Sequence, residues 1–393
     1  MVSKITFLGM GLDSPNKGVN ALCIGATEVV SRSYKFDEIF LISFRKNTPT
    51  KEYNLSTSYG DVKIINKFFT KKDLIIALKD TLLFKLFKIK PKSELCKIIV
   101  NSDIIFDLNE GDSFSDIYGL KRIIRHFLDS YISLSYNKKL IFLPQTIGPF
   151  KTFLGTWMGL YILKRLEKLY VRDNKAKDFL ESNKLEYIEN IDLAVYMKPK
   201  EVNYKIPEDS IFININGLMY FNNYASLANQ FNEYKNLLLE IVYYFKSLKK
   251  TIVFIPHTYD TINTMEEDDL VAINDFIHTN NIEDVTVIAQ EFDAQELKYL
   301  ISKSEFFIGS RMHSCIAALS TSVATIGLSY SYKFNGTFNM FNVPDTVIEL
   351  NNIKNNEVNS ILQKIKKIYE NKKIYENELL IQNDRSILEL WVM

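Results

Sequence analysis

Short runs of hydrophobic residues alternate with longer segments of helical spacing along almost the whole chain. In the first half, the runs predict strands near residues 5–8, 39–44, 62–65, 104–108, 140–143, 169–171 and 187–191. In the second half, they predict strands near residues 211–215, 252–255, 285–289, 306–308, 324–327 and 347–350. Strands that alternate with helices are typical of βαβ units and a mainly parallel sheet. The pattern therefore predicts an α/β fold.

A break in this alternation separates two predicted domains. Residues 198–209 contain two prolines and many charged side chains, which is typical of a hinge between domains. We therefore predict one doubly wound, Rossmann-like domain over residues 1–197 and a second over residues 198–350. Beyond that point, Lys, Glu, Asn and Ile at helical spacing predict a helical tail over residues 351–393.

Composition and charge narrow the class of protein. Hydrophobic residues make up 47% of the 393 residues and charged residues 24%, which is ordinary for a globular protein. The balance of 48 Lys and Arg against 47 Asp and Glu argues against a nucleic-acid partner held by a global positive field. Cys23, Cys96 and Cys315 lack paired or metal-type spacing, and the N-terminus lacks the apolar region of a signal peptide. We therefore predict a cytoplasmic protein with free, buried thiols and no bound metal.

One helical segment is rich in lysine. Residues 71–92 combine Leu, Ile and Phe with seven lysines, a composition typical of a helix that lies at a membrane interface. A helix that packs on the core and exposes a lysine face has the same pattern and is the commoner case. Both interpretations stay open, and the first predicts peripheral contact with the inner face of the cell membrane.

Two strand exits carry unusually polar sequences. PQTIGPF at residues 144–150 follows a hydrophobic run, and Arg311 and His313 open a predicted helix directly after another. Ligands of open α/β sheets bind beyond the carboxyl ends of strands, and a helix start presents backbone N–H groups and a positive dipole to an anion. The two exits together predict a negatively charged substrate.

Carboxylates and a second arginine follow two further strands. Asp112 and Asp116 come after the predicted strand at residues 104–108, where clustered carboxylates suit a general base, acceptor binding, a metal or a helix cap. Arg172 directly follows the strand at residues 169–171 and precedes Asp173. It either faces a ligand or forms a local charge pair.

The remaining polar candidates also follow predicted strands. Asn16 and Gly18 come after the first strand, where we expect them to shape the acceptor side. Ser14 stands where the dinucleotide fingerprint requires glycine, so no nicotinamide or flavin cofactor is predicted. His257 is either a site residue or a simple polar strand end. Lys333 is either a phosphate contact or an exposed lysine.

Four segments together resemble the polysaccharide pyruvyl transferases. They are EGDSFSDIYG at residues 110–119, PQTIGPF, VRD at residues 171–173 and GSRMHSCIAALS at residues 309–320. The resemblance implies a GT-B-like fold, in which a helical tail can cross back onto the first domain. It also implies transfer of the enolpyruvyl group of phosphoenolpyruvate to two hydroxyls of a sugar, which gives a pyruvate ketal. The family's glycine-rich entry is replaced here by Asn109 and Glu110 before Gly111.

The resemblance further implies roles for the candidate residues. Arg172, Arg311 and Lys333 would hold phosphoenolpyruvate, and His313 would protonate its methylene carbon. Asp112 would act as base for a sugar hydroxyl of a cell-surface polysaccharide or its precursor, free or lipid-linked. Other substrate contacts would come from Gln145, Asn16, Gly18, Asp116 and His257, and no cofactor is implied. The hypothesis requires that the two arginines not be wholly engaged with internal carboxylates.

Two rival functions stay open. A GT-B glycosyltransferase with a nucleotide-sugar donor has the same two domains, and an arginine in its second domain could bind the diphosphate. The fold alone does not separate the two enzymes. A non-catalytic carbohydrate-binding or scaffold protein is the third hypothesis, and it predicts that Arg311 and His313 are dispensable.

Overall fold

A computed structural model describes residues 4–45, 48–117, 119–173, 176–223, 228–262, 267–331 and 333–388. For residues 385–388 it describes the backbone alone. The chain forms two compact units. The first contains the chain up to Asp13 together with Leu22–Tyr196, and the second contains Ser14–Ala21 and the chain from Met197 onward. The second unit is therefore assembled from two separate pieces of sequence.

An eight-stranded sheet forms the centre of the first unit, in the order β3-β4-β2-β1-β5-β6-β7-β8. The strands are β1 Lys4–Leu8, β2 Glu38–Phe44, β3 Lys51–Thr57, β4 Gly60–Phe69, β5 Ile104–Asp107, β6 Lys139–Gln145, β7 Lys168–Val171 and β8 Ile188–Glu189. All pairs are parallel except the hairpin of β3 with β4. Strand β3 was not predicted because its residues, KEYNLST, are mostly polar and solvent-accessible, and its place depends on backbone pairing with β4.

The helices of this part of the chain are α1 Lys17–Ser33, α2 Lys71–Phe87, α3 Glu94–Asn101, α4 Leu120–Ser135, α5 Phe153–Leu163 and α6 Lys177–Ser182. Helix α2 begins with a capping box, in which Thr70 and Asp73 satisfy each other's backbone N–H groups. Buried side chains of α2, α3, α4 and α5 share one hydrophobic core with sheet residues such as Ile105 and Phe142. These four helices therefore pack together over the sheet.

A six-stranded, wholly parallel sheet forms the second unit, in the order β11-β10-β9-β12-β13-β14. The strands are β9 Ser210–Asn214, β10 Thr251–Phe254, β11 Val285–Val287, β12 Phe306–Gly309, β13 Thr325–Ser329 and β14 Val347–Glu349. The helices are α7 Gly217–Phe221, α8 Tyr234–Ser247, α9 Asp269–Thr279, α10 Ala294–Ile301, α11 Met312–Leu319, α12 Lys333–Met340, α13 Asn355–Glu370 and α14 Lys372–Leu388.

The predicted fold class is confirmed, since both units are doubly wound and the chain ends in two helices, α13 and α14. Cys23, Cys96 and Cys315 are free and buried, as expected. Helical spacing over residues 226–248 predicts a helix there, whereas α8 begins only at Tyr234; residues 224–227 lie outside the described part. Among the described helices, none has both the length and the apolar character required to cross a bilayer.

Candidate functional site

In the second unit, Arg311 and His313 lie where β12 ends and α11 begins. The turn is fixed by Asn214 at the end of β9, whose Oδ1 accepts hydrogen bonds from the Arg311 backbone N–H at 2.9 Å and the Ser314 hydroxyl at 3.1 Å. The chain is tight here, because a Cβ on Gly309 would lie 2.6 Å from the sulfur of Cys315. Neighbouring parallel strands therefore hold both predicted residues at the carboxyl edge of the sheet.

The Arg311 guanidinium is bound to two carboxylates of its own unit. Its Nε and Nη2 donate to Oδ1 of Asp269 at 3.0 and 2.9 Å, and its Nη1 lies 3.3 Å from Oε2 of Glu267. Burial disfavours the charge, but Asp269 and Glu267 outweigh this effect and raise the pKa of Arg311. The Asp269 side chain has no exposure, whereas that of Glu267 is 39% exposed. Nη1 is thus the nitrogen whose carboxylate partner reaches solvent.

Asp269 connects this arginine to two neighbouring loops. Its carboxylate accepts hydrogen bonds from the backbone N–H groups of His257 at 3.0 Å, Thr258 at 2.9 Å and Gly217 at 2.9 Å. A buried carboxylate with three backbone donors and a buried arginine fixes the loops that follow β9, β10 and β12 at once. Sequence reasoning missed Asp269, because the segment EEDDL at residues 266–270 has the composition of a charged surface run.

His257 lies buried just beyond β10. Burial lowers the pKa of its imidazole well below the usual value, and the positive charges of His313, Arg311 and Lys17 lower it further. His257 is therefore neutral at physiological pH. His313, Arg311 and Lys17 therefore each lie within electrostatic reach of His257 at the strand exits of the second unit.

The segment Ser14–Ala21 packs against this site. The Lys17 backbone N–H donates to the carbonyl of His257 at 3.1 Å, and Asn16 forms an isolated antiparallel bridge with Thr258. The Lys17 side chain is buried, pairs with Glu291 and lies 5.1 Å from the centre of the Tyr259 ring. The segment that follows β1 in sequence thus belongs to the basic site of the second unit.

Asn16 and Gly18 lie on the second unit, whereas we expected them to shape the acceptor side of the first. The amide oxygen of Asn16 accepts the Gly18 backbone N–H at 3.0 Å. Gly18 lies against the ring of His313, and a Cβ at Gly18 would be 2.3 Å from its Nδ1. Glycine at this position is what allows the ring of His313 to occupy its place.

In the first unit, the exit of β5 has an unusual backbone. Asn109, Glu110 and Gly111 have φ angles of 46°, 56° and 89°, so three successive residues lie in the left-handed region. A Cβ on Gly111 would be 3.3 Å from Nη1 of Arg172 and 2.9 Å from Cδ1 of Leu22. The loop therefore brings its backbone directly against the arginine, and a side chain at Gly111 would obstruct this contact.

Arg172 follows β7 and is buried among carboxylates. Its Nη1 lies 2.5 Å from Oδ2 of Asp192, and the two side chains are only 7% and 3% exposed. Burial disfavours the charge, but Asp192, Asp112 and Asp173 raise the pKa of Arg172. This arrangement differs from an arginine that stands open to an anionic donor. Asp173 does not cap α6, which begins at Lys177, and instead accepts a hydrogen bond from the Thr146 hydroxyl.

Gln145 and Asp116, both predicted to bind substrate, have contacts that build the exit loops. The buried amide of Gln145 donates to the carbonyl of Asp107 at 3.0 Å and accepts from Asn109 at 3.0 Å. Asp116 accepts the backbone N–H groups of Lys151 at 2.8 Å and Thr152 at 2.7 Å, where α5 begins. Their contacts with a substrate stay a prediction.

Two further buried carboxyl groups of the first unit were missed. Asp107 ends β5, and burial raises its pKa to about 6. Burial is the main cause that raises the pKa of Asp129 to about 8. The positive charge of Arg125 opposes this rise, and the negative charges of Asp107 and Glu110 add to it. The sequence did not reveal the burial of Asp107 because this residue ends an apolar run. It did not reveal the burial of Asp129 because this residue lies within a helical pattern.

Lys333, predicted to contact phosphate, begins α12 of the second unit and is half-buried. It follows β13, a neighbour of β12 in the sheet, with Tyr332 outside the described residues. In the described ranges, no group of three or more His, Cys, Asp or Glu side chains has an arrangement that could hold a metal ion.

The four segments that carry the family resemblance lie at these strand exits, and most of the chain matches the same family. The sequence profile of the polysaccharide pyruvyl transferases matches residues 16–332. The chain belongs to the polysaccharide pyruvyl transferase family. This family member is 20% identical over 281 residues to the amylovoran biosynthesis protein AmsJ of Erwinia amylovora, a match that covers 66% of this chain. This chain therefore covers only 64% of the length of AmsJ.

Solved structures of other proteins share the fold of this pyruvyl transferase family member. Trehalose-6-phosphate synthase OtsA aligns with a TM-score of 0.53 at 12% identity, over 98% of this chain and 96% of its own. A putative UDP-N-acetylglucosamine 2-epimerase from Listeria monocytogenes gives 0.55 at 10% identity, over 96% and 91%. UDP-GlcNAc 2-epimerase from Neisseria meningitidis gives 0.51 at 11%, over 98% and 100%. These similarities show the GT-B-like fold alone.

Proposed function

We propose that the protein transfers the enolpyruvyl group of phosphoenolpyruvate to a sugar of a cell-surface polysaccharide or its precursor, forming a pyruvate ketal. The main support is the cluster of Lys17, Arg311 and His313 with the neutral imidazole of His257 at the strand exits of the second unit. The chain as a whole carries a net charge of only +1, so this cluster is a local feature suited to an anion. We propose the enolpyruvyl group as the transferred group because the chain belongs to the pyruvyl transferase family.

Arg311 is proposed to bind the donor through one nitrogen. Asp269 holds Nε and Nη2 from the buried side, while Nη1 contacts the partly exposed Glu267. The carboxylate or phosphate of phosphoenolpyruvate would replace Glu267 at Nη1 without disturbing Asp269. A hydrogen bond to a charged group contributes about 1.5–3 kcal/mol, so the donor has to match an interaction of this size that it takes over from Glu267.

His313 is proposed as the acid. Its proton would add to the methylene carbon of phosphoenolpyruvate, which leaves an oxocarbenium-like centre at the adjacent carbon. A sugar hydroxyl then forms a C–O bond to that centre and releases its proton. The phosphate leaves with the electrons of its C–O bond, which makes the same carbon electrophilic again. A second hydroxyl forms a C–O bond to this carbon, closes the ketal and gives its proton to the departed phosphate. A bound phosphate next to His313 would favour the protonated imidazole near neutral pH.

In the first unit, we propose that Asp112 accepts the proton of the sugar hydroxyl. Arg172 interacts with Asp112 while Asp192 holds its guanidinium, so we assign Arg172 to positioning this carboxylate. This positioning role replaces the role predicted from the sequence, in which Arg172 binds the donor. A site rich in carboxylates suits sugar hydroxyls, which donate hydrogen bonds to them.

The test uses purified protein, phosphoenolpyruvate and a panel of free and lipid-linked glycosides. We expect phosphate release that depends on acceptor, and a product heavier than the acceptor by one pyruvate less one water. The alternative, a GT-B glycosyltransferase, predicts that a UDP-sugar raises the melting temperature while phosphoenolpyruvate does not. That result, with no phosphate released from any acceptor, would exclude the proposal.

Gly18→Ala is expected to reduce turnover by about 100-fold, because a misplacement of about 1 Å in a catalytic group has effects of this size. The new Cβ would lie 2.3 Å from Nδ1 of His313 and would displace its ring. Phosphate release and the melting temperature are measured together. Gly336→Ala in α12 is the matched control, since a Cβ there meets no atom within 4 Å. Unchanged turnover in Gly18→Ala would contradict a catalytic role for the ring's position.

A further inference from the structure

Helices α2, α4 and α5 of the first unit expose large apolar side chains. Phe153 at the start of α5 is 89% exposed and Leu86 near the end of α2 is 64% exposed. Leu82, Phe87, Leu120 and Trp157 are also exposed on these helices. Single exposed apolar residues are normal, but several on adjacent helices mark an interaction surface. We call this surface the α2–α4–α5 face.

The three helices form one continuous surface. The Trp157 ring of α5 lies 5.8 Å from that of Phe127 in α4. Nζ of Lys85 in α2 lies 3.2 Å from the hydroxyl of Tyr131 in α4. Because α4 contacts both neighbours, the exposed apolar side chains belong to a single face.

The α2–α4–α5 face is strongly basic. Residues 71–92, 117–125 and 150–165 carry thirteen Lys and Arg against two Asp, although the whole chain has a net charge of only +1. Two of these cations, Arg122 and Arg125, pair with Glu110, which leaves eleven without that partner. Both aspartates are engaged in helix starts: Asp73 in the capping box of α2, and Asp80 with the backbone N–H groups of Lys92 and Ser93 at 2.8 and 2.6 Å. Basic charge therefore surrounds the apolar side chains.

A basic cavity of about 440 Å³ adjoins the face. It is lined by Lys85 of α2 and Tyr161 of α5, together with Lys138, Lys139 and Arg165. Glu167 also lines it and lies 3.7 Å from Lys139. Four cations against one carboxylate suit a phosphate group, which a lipid headgroup can supply.

We infer that the α2–α4–α5 face binds the surface of an anionic phospholipid bilayer. Two copies of the protein would bring like charges together, which opposes self-association through this face. An anionic bilayer accommodates both features, because it takes apolar side chains between its headgroups and attracts each Lys or Arg by about 1 kcal/mol. Tryptophan and tyrosine, as at positions 157 and 161, are typical of membrane interfaces.

The orientation of the helices gives this binding a consequence, which rests on the proposed function. Helices α2, α4 and α5 follow β4, β5 and β6, so all three begin at the carboxyl edge of the sheet. The exit loop that contains Asp112 leads to α4 along the chain, and Phe153 follows the exit loop of β6. Leu120 and Phe153 mark the end of the face at this edge, so a sugar on a lipid carrier bound at that end would be presented close to Asp112.

The test is sedimentation of the full-length protein with vesicles of phosphatidylglycerol and phosphatidylcholine, or of phosphatidylcholine alone. We expect binding only to the anionic vesicles, weakened by salt. The double variants Phe153→Ser/Leu86→Ser and Lys79→Glu/Lys90→Glu should each lower the affinity about tenfold or more. Controls are Ile262→Ser/Ile374→Ser, with matching exposures of 88% and 65%, and Lys198→Glu/Lys205→Glu in the second unit.

A second measurement follows Trp157 directly. The other tryptophan, Trp391, lies outside the described residues and is replaced by phenylalanine for this measurement. We expect the fluorescence emission of Trp157 to shift to shorter wavelength when anionic vesicles are added. No binding to these vesicles, or equal loss in the controls, would overturn the inference. So would a dimer in solution that the Phe153→Ser/Leu86→Ser variant disperses. All variants should keep their turnover with a soluble glycoside, so membrane binding and the proposed reaction fail independently.

Discussion

His313→Ala is expected to lower the turnover of phosphoenolpyruvate with a sugar acceptor by about 100- to 10,000-fold, the usual contribution of a general acid. The imidazole lies at the start of α11 against Gly18 and next to the neutral His257. His257 is held neutral, Arg311 holds its proton and Lys17 pairs with Glu291, so we assign the proton transfer to His313. The measurement is phosphate release at saturating phosphoenolpyruvate, with circular dichroism to verify folding.

His278→Ala is the control for this experiment. His278 is exposed in the last turn of α9 and belongs to the same unit. Its replacement should leave turnover unchanged. Full activity of His313→Ala would remove His313 from the acid role, whereas a loss shared by both variants would point to the stability of the unit instead.

Asp269→Asn is expected to lower the free energy of unfolding by about 3–5 kcal/mol, the usual cost of removing one partner of a buried ion pair. The Asp269 side chain is wholly buried, and without its charge the guanidinium of Arg311 remains buried beside Glu267, its second carboxylate partner among the described residues. Hydrogen bonds from three backbone N–H groups would weaken as well. Urea unfolding measures the change.

A double-mutant cycle isolates the ion pair. Arg311→Met, Asp269→Asn and the double variant are compared, and we expect the double variant to lose less stability than the sum of the single losses. The coupling between contacting residues is typically about 0.5–3 kcal/mol. Glu208→Gln, an exposed change of the same charge, is the control and should be near neutral. Additive losses would show that Asp269 acts mainly through the backbone.

The sequence predicted the strands and their exits well, because buried parallel strands appear as continuous apolar runs. Arg311 and Arg172 could thus be placed directly after β12 and β7. Their partners Asp269 and Asp192 could not be predicted, because they are selected by long-range packing; Asp269 and Arg311 are 42 positions apart in sequence. The hypothesis required that these arginines not be wholly engaged with internal carboxylates. Arg311 retains one nitrogen, Nη1, whose carboxylate partner Glu267 is partly exposed.

The contact of Ser14–Ala21 with the second unit also left no signal in the sequence. It is made largely by backbone groups, such as the Lys17 N–H with the carbonyl of His257. Backbone contacts impose little on side-chain identity, so a pattern of apolar and polar residues does not reveal them. Gly18 is the exception, since the ring of His313 excludes any side chain there.

Because the second unit is discontinuous in sequence, it cannot be obtained as a simple C-terminal fragment. A recombinant piece that begins at Met197 would lack the lysine that pairs with Glu291 and the glycine that faces His313. Chimeras that exchange the second unit between relatives must transplant both pieces, or join Ser14–Ala21 to the fragment by circular permutation.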